Sequence, residues 1–267
     1  MHKQLEIIYE DNHIIAVNKR ASQIVQGDKT GDKALSELVK EFLKDKYSKQ
    51  GNVYLGLPHR LDRPVSGVVL FAKTSKALTR LNAIFKSANV QKTYYAIVAN
   101  PPSKTEDKLV DFIYRNTKQN KSYVVDSSNQ EAKKAILEYK LIAKSDRYYL
   151  LEINLITGRH HQIRAQLANM GCPIRGDLKY GYPRSNKNGG INLHSRKISF
   201  IHPVQKEKIS ITAPFPEEKI WTVFNISNAH WAEPKWAFLK HHYKKKLDRK
   251  ISIQLFLNVI SSQIIIF

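Results

Sequence analysis

One carboxylate in this chain is framed by arginines. In His59-Arg60-Leu61-Asp62-Arg63-Pro64-Val65-Ser66-Gly67, Arg60 lies two positions before Asp62 and Arg63 follows it directly. Pro64 and Gly67 come within the next five positions, so the backbone turns where the acid is presented. A guanidinium is always charged, and a positive charge within a few ångströms favours the ionised form of a carboxylate. An ionised carboxylate held on a turn can serve as a nucleophile or a general base. The same neighbours also suit a plain ion pair within a loop, and spacing alone does not separate the two readings.

Further along, Leu155-Ile156-Thr157-Gly158-Arg159-His160-His161-Gln162-Ile163-Arg164 brings together two more arginines and two histidines. Between the two stretches stands Lys92-Thr93-Tyr94; after them come Gly171-Cys172-Pro173-Ile174, Gly176-Asp177 and Tyr180-Gly181. His160 and His161 are adjacent, so they lack the i, i+4 spacing by which a helix offers two imidazoles to one metal ion. No metal site is expected there.

Taken in order, these motifs resemble the signatures of the RluA-type RNA pseudouridine synthases, in the short form without a separate S4-type RNA-binding domain. The likeness runs from about residue 4 to about residue 225. It implies an isomerase that converts specific uridines in structured RNA, in tRNA, large-subunit ribosomal RNA or both, without a cofactor or metal. It makes Asp62 the catalytic acid, Tyr94 the aromatic that stacks on the target base, and Arg164 the salt-bridge partner of Asp62. Arg60 resembles the family residue that fills the space left by a flipped base. His59, Arg63, Lys92, Arg159 and Gln162 fall at motif positions that the same likeness assigns to RNA binding. Two departures stand out. The family's Lys-Pro-Ala-Gly is here Lys19-Arg20-Ala21-Ser22, which leaves that loop's conformation open. The family's histidine two residues after the last arginine is here Gln166, a change expected to tune activity rather than abolish it.

The implied reaction breaks an N-glycosidic bond, rotates the base and rejoins it through carbon, with no redox step. One carboxylate can do this by a covalent sugar adduct or by taking a sugar proton to give a glycal, and both routes remain open. A stacked base is out of reach, so it must flip out, at about a few kcal/mol. Two rival classes are weighed against this. A silent RNA-binding or RNA-folding protein would need the basic surface but not the intact acid, tyrosine and arginine motifs. A nucleoside or glycoside hydrolase usually needs a second catalytic carboxylate, which neither motif supplies.

Composition agrees with a polyanionic partner. Among 267 residues, 44 Lys and Arg oppose 23 Asp and Glu, a net charge of +21 that favours nucleic acid over acidic membrane. The single cysteine excludes an internal disulfide framework and a Cys-based zinc site. The first residues, MHKQLEIIYEDNH, contain no apolar export segment, so a cytoplasmic monomer that binds RNA, with no membrane and no obligate protein partner, is expected.

The elements that must position these residues read as α+β, with a largely antiparallel mixed sheet, flanking helices and a cleft. Apolar runs at 5–9 and 14–17 predict a hairpin, and helical spacing predicts helices over 34–47 and 75–88. The continuous apolar run 68–72 predicts a buried central strand directly after the Asp62 loop. Strands are expected at 92–98, 109–114, 122–125, 135–142, 148–155, 191–201 and 209–213. Alternation along 92–98 puts Tyr94 and Tyr95 on opposite faces, so only one can enter the cleft, and resemblance selects Tyr94. The basic, amide-rich turn 115–121 suits an RNA-backbone contact or a solvated hairpin tip equally. Thr157 reads as the N-cap of a helix over 160–169. Residues 1–226 form the expected catalytic domain. Residues 227–267, aromatic and basic and then apolar, read as a loosely ordered extension slightly ahead of an RNA-binding tail. The apolar end is about 13 residues, short of the roughly 20 that span a bilayer.

Overall fold

The computed structural model describes residues 5–28, 31–87 and 89–224. The extension expected at 227–267 lies outside the described residues. Runs rich in β-branched and aromatic residues become ten strands: β1 (Ile7–Glu10), β2 (Ile14–Lys19), β3 (Ser66–Ala72), β4 (Gln91–Val98), β5 (Glu106–Asn116), β6 (Lys121–Val125), β7 (Lys133–Lys144), β8 (Tyr149–Leu155), β9 (Leu193–Ile201) and β10 (Lys208–Thr212). The helices are α1 (Leu35–Lys46), α2 (Ser75–Lys86), α3 (Gln162–Asn169) and the single turn α4 (Lys219–Thr222).

All the strands join one sheet in the order β1-β2-β3-β9-β4-β8-β7-β5-β6, with β10 also paired to β9. Every strand pairing is antiparallel except β3 with β9, so the sheet is mixed and mostly antiparallel, and the fold is α+β. The apolar run of β3 follows from its place. Val69 and Phe71 pack into the cluster that holds Leu35, Val39 and Leu43 of α1. Val68, Leu70 and Ala72 face the other way, against Ala77 and Leu81 of α2. A strand covered on both faces needs apolar side chains at every position. Truncating fully buried Phe71 to alanine would cost about 3–5 kcal/mol.

The parallel pairing of β3 and β9 brings two backbones unusually close. Gly67 pairs with Ser195 and adopts φ +112°, and a Cβ there would lie 2.2 Å from the Ser195 carbonyl oxygen. Only glycine fits, so the Asp62 loop enters the sheet at a fixed point. Further over, β5 is longer than periodicity suggests, 11 residues from Glu106. Its pairing with β7 on one side and β6 on the other sustains the strand beyond its apolar part.

One local expectation is corrected. Thr157 does not cap a helix; α3 begins at Gln162, after His161 in the left-handed conformation at φ 52°. The Thr157 hydroxyl instead accepts from the Ile136 amide at 2.8 Å and donates to Gln162 Oε1 at 2.8 Å. The side chain of Gln162 folds back on the loop and draws the hydroxyl away from the capping position.

Candidate active site

Asp62 sits in the turn before β3, and that turn is fastened through its backbone. The Val65 amide donates to the Asp62 carbonyl at 3.1 Å, and the Ile191 amide donates to the Pro64 carbonyl at 3.0 Å. The Arg63 carbonyl accepts from the Ser22 amide at 2.9 Å and from Lys19 Nζ at 2.9 Å. Lys19 also donates to the carbonyls of Arg20 at 3.0 Å and Gln23 at 2.8 Å, and it is fully buried. An ammonium has three donors, and here three carbonyls meet them. Burial pushes the Lys19 amine down to about 7, with Asp62 opposing that fall and Arg63 adding to it. The loop that replaces Lys-Pro-Ala-Gly thus wraps the lysine and ties it to the Asp62 turn, with Ser22 at φ 69° taking a conformation that suits glycine.

His59 anchors the other end of the turn. Its Nε2 accepts the Leu70 amide of β3 at 2.9 Å, and its ring stacks on Phe85 of α2 at 5.0 Å. Burial pushes the imidazole down to about 3, with nearby Lys92 adding to the effect, so the ring is neutral. The structure uses His59 to hold the loop.

Charge acts on the side chain of Asp62. Arg164 Nη1 lies 3.3 Å from Asp62 Oδ2, so the expected pair is present. Its stronger partner, however, is Asp177. Arg164 Nε donates to Asp177 Oδ2 at 2.7 Å and Nη2 donates to Oδ1 at 2.8 Å, a two-pronged contact buried at both ends. Although burial opposes it, the bonds to Asp177 and the charges of Asp177 and Asp62 hold Arg164 above its ordinary range. The Tyr180 ring lies under this guanidinium at 4.9 Å. Asp62 is 30% exposed where Asp177 is 1% exposed, so Asp62 is the carboxylate open to a substrate.

Tyr94 and Tyr95 diverge as alternation requires. Tyr95 donates to Glu152 Oε2 at 2.5 Å. Tyr94 shares the larger core with Leu61 and Val65 and feels the charge of Asp62. Burial pushes its phenol up to about 12, against a hydrogen bond with Ser195. Lys92, on the same face of β4 as Tyr94, is partly buried, and burial lowers its amine. A Cβ on Gly158 would lie 3.5 Å from the Lys92 ammonium, which therefore sits beside the Thr157-Gly158-Arg159 loop.

The remaining expected residues divide. Arg60 and Arg159 are exposed, Arg159 donating from Nε to the Lys134 carbonyl at 3.0 Å. Arg63 is exposed and paired with Asp32 at 2.6 Å. Gln162 is 3% exposed, and its amide is spent inside the protein on Thr157, the Arg159 amide, the Ile136 carbonyl and Gln166. Gln166 is buried too and donates to Asp111 Oδ2 at 2.6 Å. Sequence reasoning quoted Asp177 and Tyr180 as parts of motifs without giving them work, and it weighed His161 only as a metal ligand. Among the described residues no group of three or more His, Cys, Asp or Glu side chains is placed to hold a metal ion. No helix among them is long and apolar enough to cross a membrane.

Comparison with known proteins bears on the family and the fold. Residues 13–169 match the family described as RNA pseudouridylate synthase. The tRNA pseudouridine synthase C of Vibrio parahaemolyticus is 30% identical over 241 residues, 83% of this chain and 95% of that one. The ribosomal large subunit pseudouridine synthase D of Zymomonas mobilis is 29% identical over 236 residues, 84% of this chain and 74% of that one. The solved structure of human RNA pseudouridylate synthase domain containing 4 has a TM-score of 0.68 at 21% identity, covering 80% of this chain and 90% of that one, which shows the shared fold.

Proposed function

The chain belongs to the RNA pseudouridylate synthase family and is an isomerase acting on RNA uridines, and from that premise we propose that it modifies transfer RNA with Asp62 as the working carboxylate. The observation that carries the assignment of Asp62 is its exposure beside a buried Arg164 that Asp177 already holds in place. Transfer RNA is favoured because the likeness to the tRNA enzyme takes in 95% of its length, against 74% for the ribosomal one.

In this reading a uridine flips from its stack and lies against Tyr94, and Asp62 acts at the ribose. The bond from C1′ to N1 breaks, the ring turns, and C1′ joins C5. C5 gives up a proton and N1 gains one, so nothing is oxidised or reduced. In-line attack at C1′ takes the face opposite the departing base, whereas removal of the C2′ proton takes the base's own face, so the side of the ribose on which Asp62 stands separates the two routes. Arg60, exposed on the Asp62 turn, fills the vacated stack. Arg159 and Lys92 meet phosphates, and Arg63 can exchange its exposed pairing with Asp32, worth about 0–1 kcal/mol, for a phosphate. His59 and Gln162 serve the RNA indirectly by holding the two loops. The enzyme is expected to work in the cytoplasm as a monomer.

The test is carbodiimide mapping of pseudouridine in total RNA from cells lacking the gene, complemented with wild type or Asp62→Ala. Loss of one or a few transfer RNA sites, restored by wild type alone, supports the proposal. Loss confined to large-subunit ribosomal RNA overturns the substrate. Restoration by Asp62→Ala overturns the role of Asp62.

A further inference from the structure

His161 belongs to no part of the chemistry described so far, yet it is the third group at Asp62. Its Nε2 lies 3.6 Å from Asp62 Oδ2, and the residue is 9% exposed. Its Nδ1 lies 3.0 Å from the Tyr180 hydroxyl, and that hydroxyl accepts the Ser122 amide at 2.9 Å. These contacts favour one arrangement of the protons. The Ser122 amide occupies one lone pair of the Tyr180 oxygen, and the buried hydroxyl must still place its own proton. Among the hydrogen bonds of the described residues, its available acceptor is His161 Nδ1. An imidazole that accepts at Nδ1 carries its proton at Nε2, the atom that faces Asp62.

The surroundings keep the ring neutral and immobile. His160 stacks on it at 3.8 Å and is itself tied to Ser122 Oγ at 2.8 Å. Burial, with the charges of Arg164, His160, Lys179 and Arg115, pushes His161 down to about 2. Asp62 and Tyr180 also face the ring, and burial together with the positive charges prevails. His161 also occupies the left-handed region at φ 52°, which strains a non-glycine residue and places the ring at the start of α3.

We propose that His161 is the positioning residue for Asp62: held by Tyr180 in the tautomer with the proton on Nε2, it donates to Oδ2, the carboxylate oxygen that Arg164 also meets, once substrate fills the cleft. The gap of 3.6 Å is too long for a hydrogen bond, and catalytic bonds often tighten when substrate binds. Arg164 and His161 then approach Oδ2 from two directions and fix the carboxylate's rotation. The family motif supplies the histidine; the chain Ser122–Tyr180–His161–Asp62 is what the structure adds. The inference rests on Asp62 being the working carboxylate, so the experiment includes Asp62→Asn.

The experiment measures tritium release from C5 of uridine in bulk transfer RNA taken from cells that lack the gene and labelled with [5-³H]uridine. It compares wild type, His161→Ala, His161→Gln, Tyr180→Phe and Asp62→Asn. His161→Ala and His161→Gln carry the same backbone strain, and only Gln can offer an N–H in place of Nε2. The expected result is a fall in kcat of about 30-fold for His161→Ala with KM within about twofold, and partial recovery with His161→Gln. Loss of a donor to the carboxylate should also move the acidic limb of the kcat profile of His161→Ala to higher pH. Tyr180→Phe keeps the ring under Arg164 but frees the tautomer, and should lower kcat about threefold to tenfold. If Asp62→Asn is inactive while His161→Ala keeps its kcat and its acidic limb, the positioning role is overturned and the role of Asp62 stands. Equal losses in Ala and Gln, with the limb unmoved, overturn it as well. If His161→Ala does not fold, a wild-type kcat in Tyr180→Phe overturns it. Full activity in Asp62→Asn would sink the underlying assignment instead.

Discussion

The two sides of Asp62 are built from different forces. On the β2–β3 side, backbone carbonyls and a neutral imidazole hold the turn: Lys19 gathers three carbonyls, and His59 takes the Leu70 amide. On the α3 side, full charges hold the carboxylate itself, through Arg164 with Asp177 behind it. The first arrangement fixes where the residue stands and the second fixes where its oxygens point. A backbone is held well by many directional bonds to neutral groups. A carboxylate is steered better by a cation that a second anion has already immobilised, since that cation cannot swing away with the substrate's phosphates.

The largest expected effect comes from removing the carboxylate while sparing both sides. Asp62→Asn should lower tritium release by about a thousandfold or more, with stability in urea changed by less than about 1 kcal/mol because the site is partly exposed. Next comes the charged side. Asp177→Asn leaves Arg164 buried without its main partner and should cost about 3–5 kcal/mol in urea unfolding. If Asp62→Asn proves the more destabilising of the two, Asp177 is not the anchor.

Lys19 tests the neutral side by pH. Its amine falls from 10.5 to about 7 on folding, so between those values the unfolded chain holds a proton that the native protein has released. Stability from this group therefore rises with pH through that window, by up to about 1.4 kcal/mol per unit. Compared with Lys19→Met, wild type should gain roughly 2 kcal/mol between pH 7 and pH 9 in urea titrations. A difference that stays flat would mean that the three carbonyls keep the ammonium charged, and the contrast between the sides would weaken. The smallest effect is expected at Gln166. Gln166→His restores the family's residue but must fit beside Asp111 and Gln162, and it should change stability by less than about 1.5 kcal/mol and kcat by less than about threefold. A loss as large as that of Asp177→Asn would place Gln166 in the anchoring network itself.

The sequence by itself determined the strands, because side-chain alternation and turn residues are local. It separated Tyr94 from Tyr95 for the same reason, whereas Asp62 and Arg164 were marked by the resemblance of their motifs to the family and not by spacing. It also named the family from motif order. It did not give Thr157 its true task, because the side chain of Gln162 competes for the hydroxyl only after the loop has closed. Nor did it show that Lys19 binds the Asp62 turn, since their contact joins residues 44 positions apart. The choice of Asp177 over Asp62 as the stronger partner of Arg164, and the placing of His161 between Tyr180 and Asp62, were decided by tertiary structure alone. Ion pairs and tautomers depend on distance and burial through space, and a linear sequence records neither.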